Sequence, residues 1–427
     1  MVKPHALPPL PPSALRSSAI RDLLEQAERP GVLSLAGGLP SAGHFPTGPI
    51  AAAVADALGE GSPRPLQYGR TEGLTPLREL LAADADRAVD EVLVTAGSQQ
   101  ALDLLARGLL APGDGVALAD PAYVGALQAL RAAGASLHAI PADGEGLDVD
   151  ALAERLDAGL RIQATYVVSN FDNPTGATLA PDRRRRLAAL AERHGFWIID
   201  DDPYGALRWR GEPAVPLAHL THHAITVRST SKVLAPGLRV GWMVAPTEVV
   251  ARCTLLKQAA DLHASSLSQE VVLRLLADAP AMAHHLDGLR AAYRAQGDAL
   301  HAAVLDRFGD QIEVGRPAGG MFLWARLRTA DGRLVDADAL LRVALERSTA
   351  FVPASAFAVE GDHPGWLRLS FATNPPDLLA EAVGRLGDAV DAWGKMAVHR
   401  DKGALPWTSP SSPSRTTSAP WASSTPT

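Results

Sequence analysis

From about residue 90 onward, short apolar runs alternate with segments of helical periodicity. The runs are EVLVTAG, GVALAD, SLHAI, ATYVVSN, FWIIDD, AITVRS and VGWMVA, with stretches such as SQQALDLLARGLL and PDRRRRLAALAERHG between them. Strands that alternate with helices are joined by crossovers, and crossovers produce a largely parallel sheet with helices on its faces. An α/β domain with a mostly parallel seven-stranded sheet is therefore predicted.

A long helical stretch over residues 268–308 comes next, then strand-like GGMFLWARL, a helix at DADALLRVALERS, strand-like WLRLSFA and a last helix near 376–393. These elements predict a smaller α+β domain. At the start, a proline-rich arm leads into SSAIRDLLEQAERPG, where Ile20, Leu23 and Leu24 form a helical stripe after serine caps and Pro30-Gly31 ends it. The expected organisation is an arm and helix packing with the small domain (1–47), a large domain (48–280), a small domain (281–397) and a tail (398–427). The tail is rich in Ser, Thr and Pro and lacks core-building residues, so disorder is expected there.

Bulk properties exclude several classes. A formal net charge of -7 argues against a general nucleic-acid binder. Cys253 is the only cysteine, which excludes an internal disulfide framework and a multi-cysteine metal site and fits a reducing compartment. No apolar run approaches membrane-spanning length, and the arm has no signal-peptide core, so a cytoplasmic protein without membrane partner is expected. The pairs His222-His223 and His284-His285 lack metal-ligand spacing, and no metal is expected. Neither a dinucleotide fingerprint nor a Walker loop occurs. Arg183–Arg186 reads as a solvated helix face.

In open α/β sheets, ligands bind outside the carboxyl ends of the strands. Polar clusters sit at four such ends. TAGSQQ places Ser98 and Gln99 at a helix N-terminus, a ready anion site. SNFDNPTG places Asn173 before a turn. IIDDDPYG carries Asp200, Asp201 and Asp202 in a row, which is costly unless a cation lies beside at least one of them. STSKVLAPGLRVGW brings Ser229, Ser231, Lys232 and Arg239 together. Lysine is rare here, at 3, 232, 257, 395 and 402 against a Lys+Arg total of 40. A lysine amine can lose its proton in a desolvated site and attack a carbonyl, which a guanidinium cannot do.

In this order and spacing, the clusters resemble those of the fold type I pyridoxal-phosphate (PLP) enzymes of the class I/II aminotransferase family. The likeness runs from about residue 17 to 395. SLAGGLPSAGHFP, TAGSQQALDLL, DPAYVGAL, NPTG, DDPYG and SKVLAPGLRVGW are most similar to the branch of 2-aminoadipate and kynurenine aminotransferases. The resemblance implies an enzyme that moves an amino group between an L-amino acid and a 2-oxo acid, with 2-oxoglutarate and glutamate as one pair. The scaffold alone leaves open decarboxylation, β-elimination or oxidation. An effector-sensing domain of a transcription regulator is a further alternative, disfavoured because only the short arm precedes the domain.

The resemblance also implies roles. Lys232 binds the cofactor aldehyde and shuttles the substrate proton; Asp201 faces the pyridine nitrogen, leaving Asp200 and Asp202 to structural work. Asn173 and Tyr204 hydrogen-bond the phenolic oxygen, and Tyr123 stacks on the ring. Ser98, Gln99, Ser229, Ser231 and Arg239 hold the phosphate. Arg368 clamps the substrate α-carboxylate, with Gly38 and Asn173 also on the substrate side. Tyr68 reaches the phosphate of a neighbouring subunit, so a homodimer with shared sites is expected. Arg21 meets an acidic substrate side chain. One departure is Ala354, where the family usually has glycine after proline; it puts the local turn in doubt.

Overall fold

A computed structural model describes residues 29–59, 61 and 63–401 of the chain, with side chains as far as residue 395. Its strands are β1 (Leu33–Ser34), β2 (Val92–Thr95), β3 (Gly115–Asp120), β4 (Ser136–Asp143), β5 (Gly146–Leu147), β6 (Ala164–Val167), β7 (Trp197–Asp201), β8 (Ala224–Ser229), β9 (Gly241–Val244), β10 (Ile312–Val314), β11 (Phe322–Leu327), β12 (Thr349–Ala350), β13 (Val352–Pro353) and β14 (Trp366–Ser370).

The large sheet has the order β2-β9-β8-β7-β6-β3-β4-β5. Each of the apolar runs is a strand in it. The stretch from β8 to β4 is parallel throughout, while β9 runs antiparallel to both its neighbours. The eighth strand, β5, is a two-residue return from β4, too short to announce itself by periodicity. Every residue of β2, β6 and β9 is buried. Such double burial is why these strands read as unbroken apolar runs.

Side chains alternate between the two faces. On one face, Leu93, Leu118, Ile199, Val227 and Met243 join a core that continues into the small domain through Phe351, Leu369 and Leu386. On the other, Ala117, Val167, Ile198 and Ala224 pack on Leu152 and Leu187, while Val92, Val94, Trp242 and Val244 pack on Leu77 and Leu81.

The small sheet, β10-β11-β14-β13, is antiparallel and sets Trp324 opposite Arg368. β1 pairs in parallel with β12, so the segment ahead of the large sheet is tied to the smaller unit. The expected long helix is two helices, Ser266–Ala277 and Ala279–Phe308. They break at Asp278, whose carboxylate caps the second by accepting from Ala281 N at 3.0 Å, with Pro280 in the first turn. The final helix, Pro376–Asp401, runs past the expected end at 393. The helix expected around Ile20, Arg21 with it, and the tail from 402 lie outside the described residues.

Candidate active site

Thr95, Asp120, Asp201 and Ser229 end β2, β3, β7 and β8 along one edge of the large sheet. Strand register brings the first and last together: Gly241 of β9 pairs with Thr95 on one side and with Ser229 on the other. A Cβ on Gly241 would lie 2.6 Å from Gly97 C and 2.7 Å from Ser98 N, so only glycine lets these segments meet. Beyond Thr95 the chain turns through Gly97, in left-handed backbone at φ +85°, into the helix Ser98–Leu109. Gly97 offers no side-chain cap, which leaves the first helical N–H groups for an anion.

Arg239 stands over this turn. Its Nη2 donates to Ala96 O at 2.8 Å, and a Cβ on Gly97 would sit 2.6 Å from that nitrogen. Ser229 and Ser231 hydroxyls are 2.8 Å apart, and Ser231 N donates to Ser229 Oγ at 3.1 Å. Ser98, Ser229, Ser231 and Arg239 thus form one corner. Gln99 borders it with its amide donating to Gly125 O at 2.9 Å.

Asp201 lies 2 % exposed, on the face of β7 away from Asp200. Its Oδ2 accepts from the Tyr166 hydroxyl at 2.9 Å, and its Oδ1 has no hydrogen-bond partner among the described residues. Burial drives its carboxyl up to about 7, opposed by the Tyr166 bond and reinforced by Asp200 and Asp202. An orphaned buried carboxylate oxygen calls for a donor or a cation. Tyr123 is pushed up to about 12 by burial and by Asp201, with Arg368 and Arg239 opposing. Tyr204 is buried edge-on to Phe322, ring centres 6.0 Å apart, and burial raises its hydroxyl well above the ordinary range.

Lys232 follows β8 by three positions. Its Nζ donates to Gly38 O at 2.8 Å. Burial first, then Arg368, lowers its ammonium to about 8, with Asp201 opposing. A lysine so placed gives up its proton more readily than a solvated one.

Arg368, on β14, is buried. Nη1 donates to Asn173 Oδ1 at 2.6 Å and Nη2 to Ala36 O at 2.6 Å, while Nε has no partner among the described residues. Phe322 and Phe357 lie against the guanidinium, 4.2 and 4.9 Å from their ring centres to Cζ. A Cβ on Gly38 would touch Phe322 at 3.4 Å, so the glycine borders this pocket. Ala354 is buried in the turn Ala354–Phe357 without left-handed backbone; the alanine fits, and the turn delivers Phe357.

One expectation about the charged residues changes. Arg183–Arg186 is not a uniformly solvated face: Arg184 is 1 % exposed and donates to Leu179 O, Ser169 O, Asn170 Oδ1 and Val215 O. Asp200 and Asp202 face away from the Lys232 side, onto a cavity of about 740 Å³ shared with Arg184, Arg228 and Trp242. Asp202 accepts from Asn170 Nδ2 at 3.0 Å and Gly205 N at 2.9 Å, which explains its place in the motif. Tyr68 is apart from the rest, 79 % exposed and edge-on to His263. Arg21 lies outside the described residues. Sequence reasoning missed Tyr166, Phe322 and Phe357. Only Tyr166 left a signal, a tyrosine within a buried strand whose hydroxyl needs a partner. Among the described residues no cluster could hold a metal, and no helix is long and apolar enough to cross a membrane.

The donor set fits a ring with a protonatable nitrogen, an aldehyde and a phosphate: the orphaned Asp201 Oδ1, the Lys232 amine, and the corner of Ser98, Ser229, Ser231 and Arg239. Comparisons with known proteins agree. Residues 33–386 match the family Aminotransferase class I and II. The chain is 40% identical to a 2-aminoadipate transaminase of Thermus thermophilus, covering 88% of this chain and 94% of that one. It is 34% identical to aromatic-amino-acid aminotransferase 1 of Thermococcus litoralis, over 88% and 92% of the two chains. The crystal structure of the alpha-aminoadipate aminotransferase of Thermus thermophilus, complexed with N-(5'-phosphopyridoxyl)-L-leucine, superposes with a TM-score of 0.83 at 38% identity, over 90% of this chain and 97% of that one.

Proposed function

The chain belongs to the class I and II aminotransferases and is a PLP-dependent transaminase, and within that family we propose that it exchanges an amino group between an L-amino acid and 2-oxoglutarate in one site used by each in turn. The observation that carries this reading is Asp201 Oδ1, buried without a partner among the described residues, on the same side of the sheet as Lys232. When bound, the cofactor supplies a protonated ring that accepts the electron pair left as the substrate Cα–H bond breaks.

The chain's own residues do the rest. Asp201 offers its free oxygen to the ring nitrogen, and the Tyr166 bond fixes the carboxylate for that purpose. Tyr123 packs on the ring, and Asn173 and Tyr204 face its phenolic oxygen. Ser98, Gln99, Ser229, Ser231 and Arg239 hold the phosphate, and Tyr68 of a second copy completes it. The exposure of Tyr68, Leu66 and Leu255, at 79%, 75% and 68%, supports such a dimer. Lys232, with its ammonium lowered to about 8, takes the proton from substrate Cα and returns it on the opposite half-reaction. Arg368 grips the α-carboxylate beside Asn173 and Gly38, and Arg21 meets an acidic side chain. These roles divide a large unit of residues 48–280 from a small one of 281–397.

The relatives named for 2-aminoadipate and for aromatic amino acids make those the first donors to try. Purified protein should be incubated with PLP, single amino acids and 2-oxoglutarate, and the products identified by mass spectrometry. One oxo acid and one glutamate are expected per donor consumed. Stoichiometric carbon dioxide, or no glutamate, would replace this reading with a decarboxylase or lyase.

A further inference from the structure

Lys257 lies on the helix Thr247–Ala260 and is 0% exposed. A buried ammonium needs acceptors for its protons. Nζ donates to Asp261 Oδ1 and Oδ2, each at 2.8 Å, and to Gln100 Oε1 at 2.9 Å. Gln100 closes the ring, its Nε2 donating to Asp261 Oδ2 at 2.7 Å. The same Oε1 accepts from Ala96 N at 2.7 Å.

This triangle fixes which way the Gln100 amide points. Lysine only donates and an ionised aspartate only accepts, so Oε1 is held toward Lys257 and Nε2 toward Asp261. Oε1 is thereby presented to the Ala96 N–H, where the opposite orientation would set donor against donor. On its other side, Ala96 O accepts from Arg239 Nη2 at 2.8 Å. The Ala96 peptide is therefore gripped at both ends, immediately before the Gly97 turn.

We propose that Lys257, Gln100 and Asp261 are positioning residues that set the affinity for a phosphate-bearing cofactor by holding the Ala96 peptide, and with it the Gly97–Ser98 turn and Arg239. The proposal rests on reading that turn and Arg239 as the phosphate site. None of the three is among the residues assigned to the cofactor, so their effect would reach it through the phosphate corner. Asp261 neutralises Lys257, so the effect arises from geometry and not from added positive charge.

The test uses cofactor-free full-length protein and compares dissociation constants for PLP and for pyridoxal, which lacks the phosphate. Lys257→Met should weaken PLP on the order of tenfold and leave pyridoxal close to wild type. Gln100→Leu carries the same expectation and serves if Lys257→Met does not fold. Equal losses for both ligands, or none for PLP, would overturn the proposal. Arg239→Gln separates the two levels. A phosphate-selective loss in Arg239→Gln with none in Lys257→Met or Gln100→Leu defeats the brace alone. No selective loss in Arg239→Gln defeats the phosphate site and the brace with it.

Discussion

Arg368 Nη1 donates to Asn173 Oδ1 at 2.6 Å, a bond that joins β14 of the small sheet to the loop after β6 of the large one. With Nη2 on Ala36 O and the rings of Phe322 and Phe357 against it, the guanidinium is held in orientation before any substrate arrives.

As the proposed carboxylate clamp, a fork held this way would orient an amino acid so that the Cα–H bond, and not the bond to the carboxylate, is the one that breaks. Arg368→Lys keeps the charge and loses the fork. It should raise KM for every amino acid and for 2-oxoglutarate alike, costing about 2–4 kcal/mol in kcat/KM. Asn173→Ala should follow the same direction. Arg21→Gln, by contrast, should weaken only substrates with acidic side chains. Steady-state kinetics with leucine and 2-aminoadipate separate the two patterns, and a silent Arg368→Lys would remove the clamp from the account.

Asp201 sets stability against chemistry. Burial raises Asp201 to about 7 and Asp172 and Asp200 to about 6, above the ordinary 3.8, so each favours the protonated form in the folded protein. Their contribution to stability is full below about 4 and is lost as pH rises through 6 to 7. Asp120, held at about 2 chiefly by its His363 bond and backbone N–H groups against the opposing cost of burial, has the opposite sign and acts only below this window. Cofactor-free Asp201→Asn should therefore melt a few degrees higher than wild type at pH 8, with the gain fading toward pH 5. Turnover should fall on the order of 10²-fold. Near-normal turnover would hand the ring nitrogen to another group.

The parts of this design that could be read from the sequence are those fixed by local pattern. Double burial wrote β2, β6 and β9 as apolar runs, and polar Asp201 and Ser229 mark strand ends that border the site. Contacts that depend on distant packing left no such trace. Phe322 and Phe357 are ordinary core aromatics until the fold sets them on Arg368. Arg184 looked like one more charge in a solvated run, yet three carbonyl oxygens from two loops converge on it. Asp278 and Pro280 did mark the break between Ser266–Ala277 and Ala279–Phe308, but both flanking helices are periodic enough to read through it.

Tyr68 gives the test of shared sites. It is exposed in the single chain and is assigned to the phosphate of a second copy. Lys232→Ala and Tyr68→Ala proteins, each inactive alone, should regain some activity when mixed under subunit exchange, because hybrid dimers contain one intact site. Full activity in a demonstrated monomer would contradict the assignment.

The central claim is that Lys232 carries the cofactor. Among the described residues its amine has the Gly38 carbonyl as its one hydrogen-bond partner, whereas the buried Lys257 is committed to Asp261 and Gln100. Holoenzyme should be reduced with borohydride, digested and mapped by mass spectrometry. The account predicts a phosphopyridoxyl group on the peptide containing Lys232 and none in Lys232→Ala protein. Label on Lys257, or no covalent label in active enzyme, would contradict it.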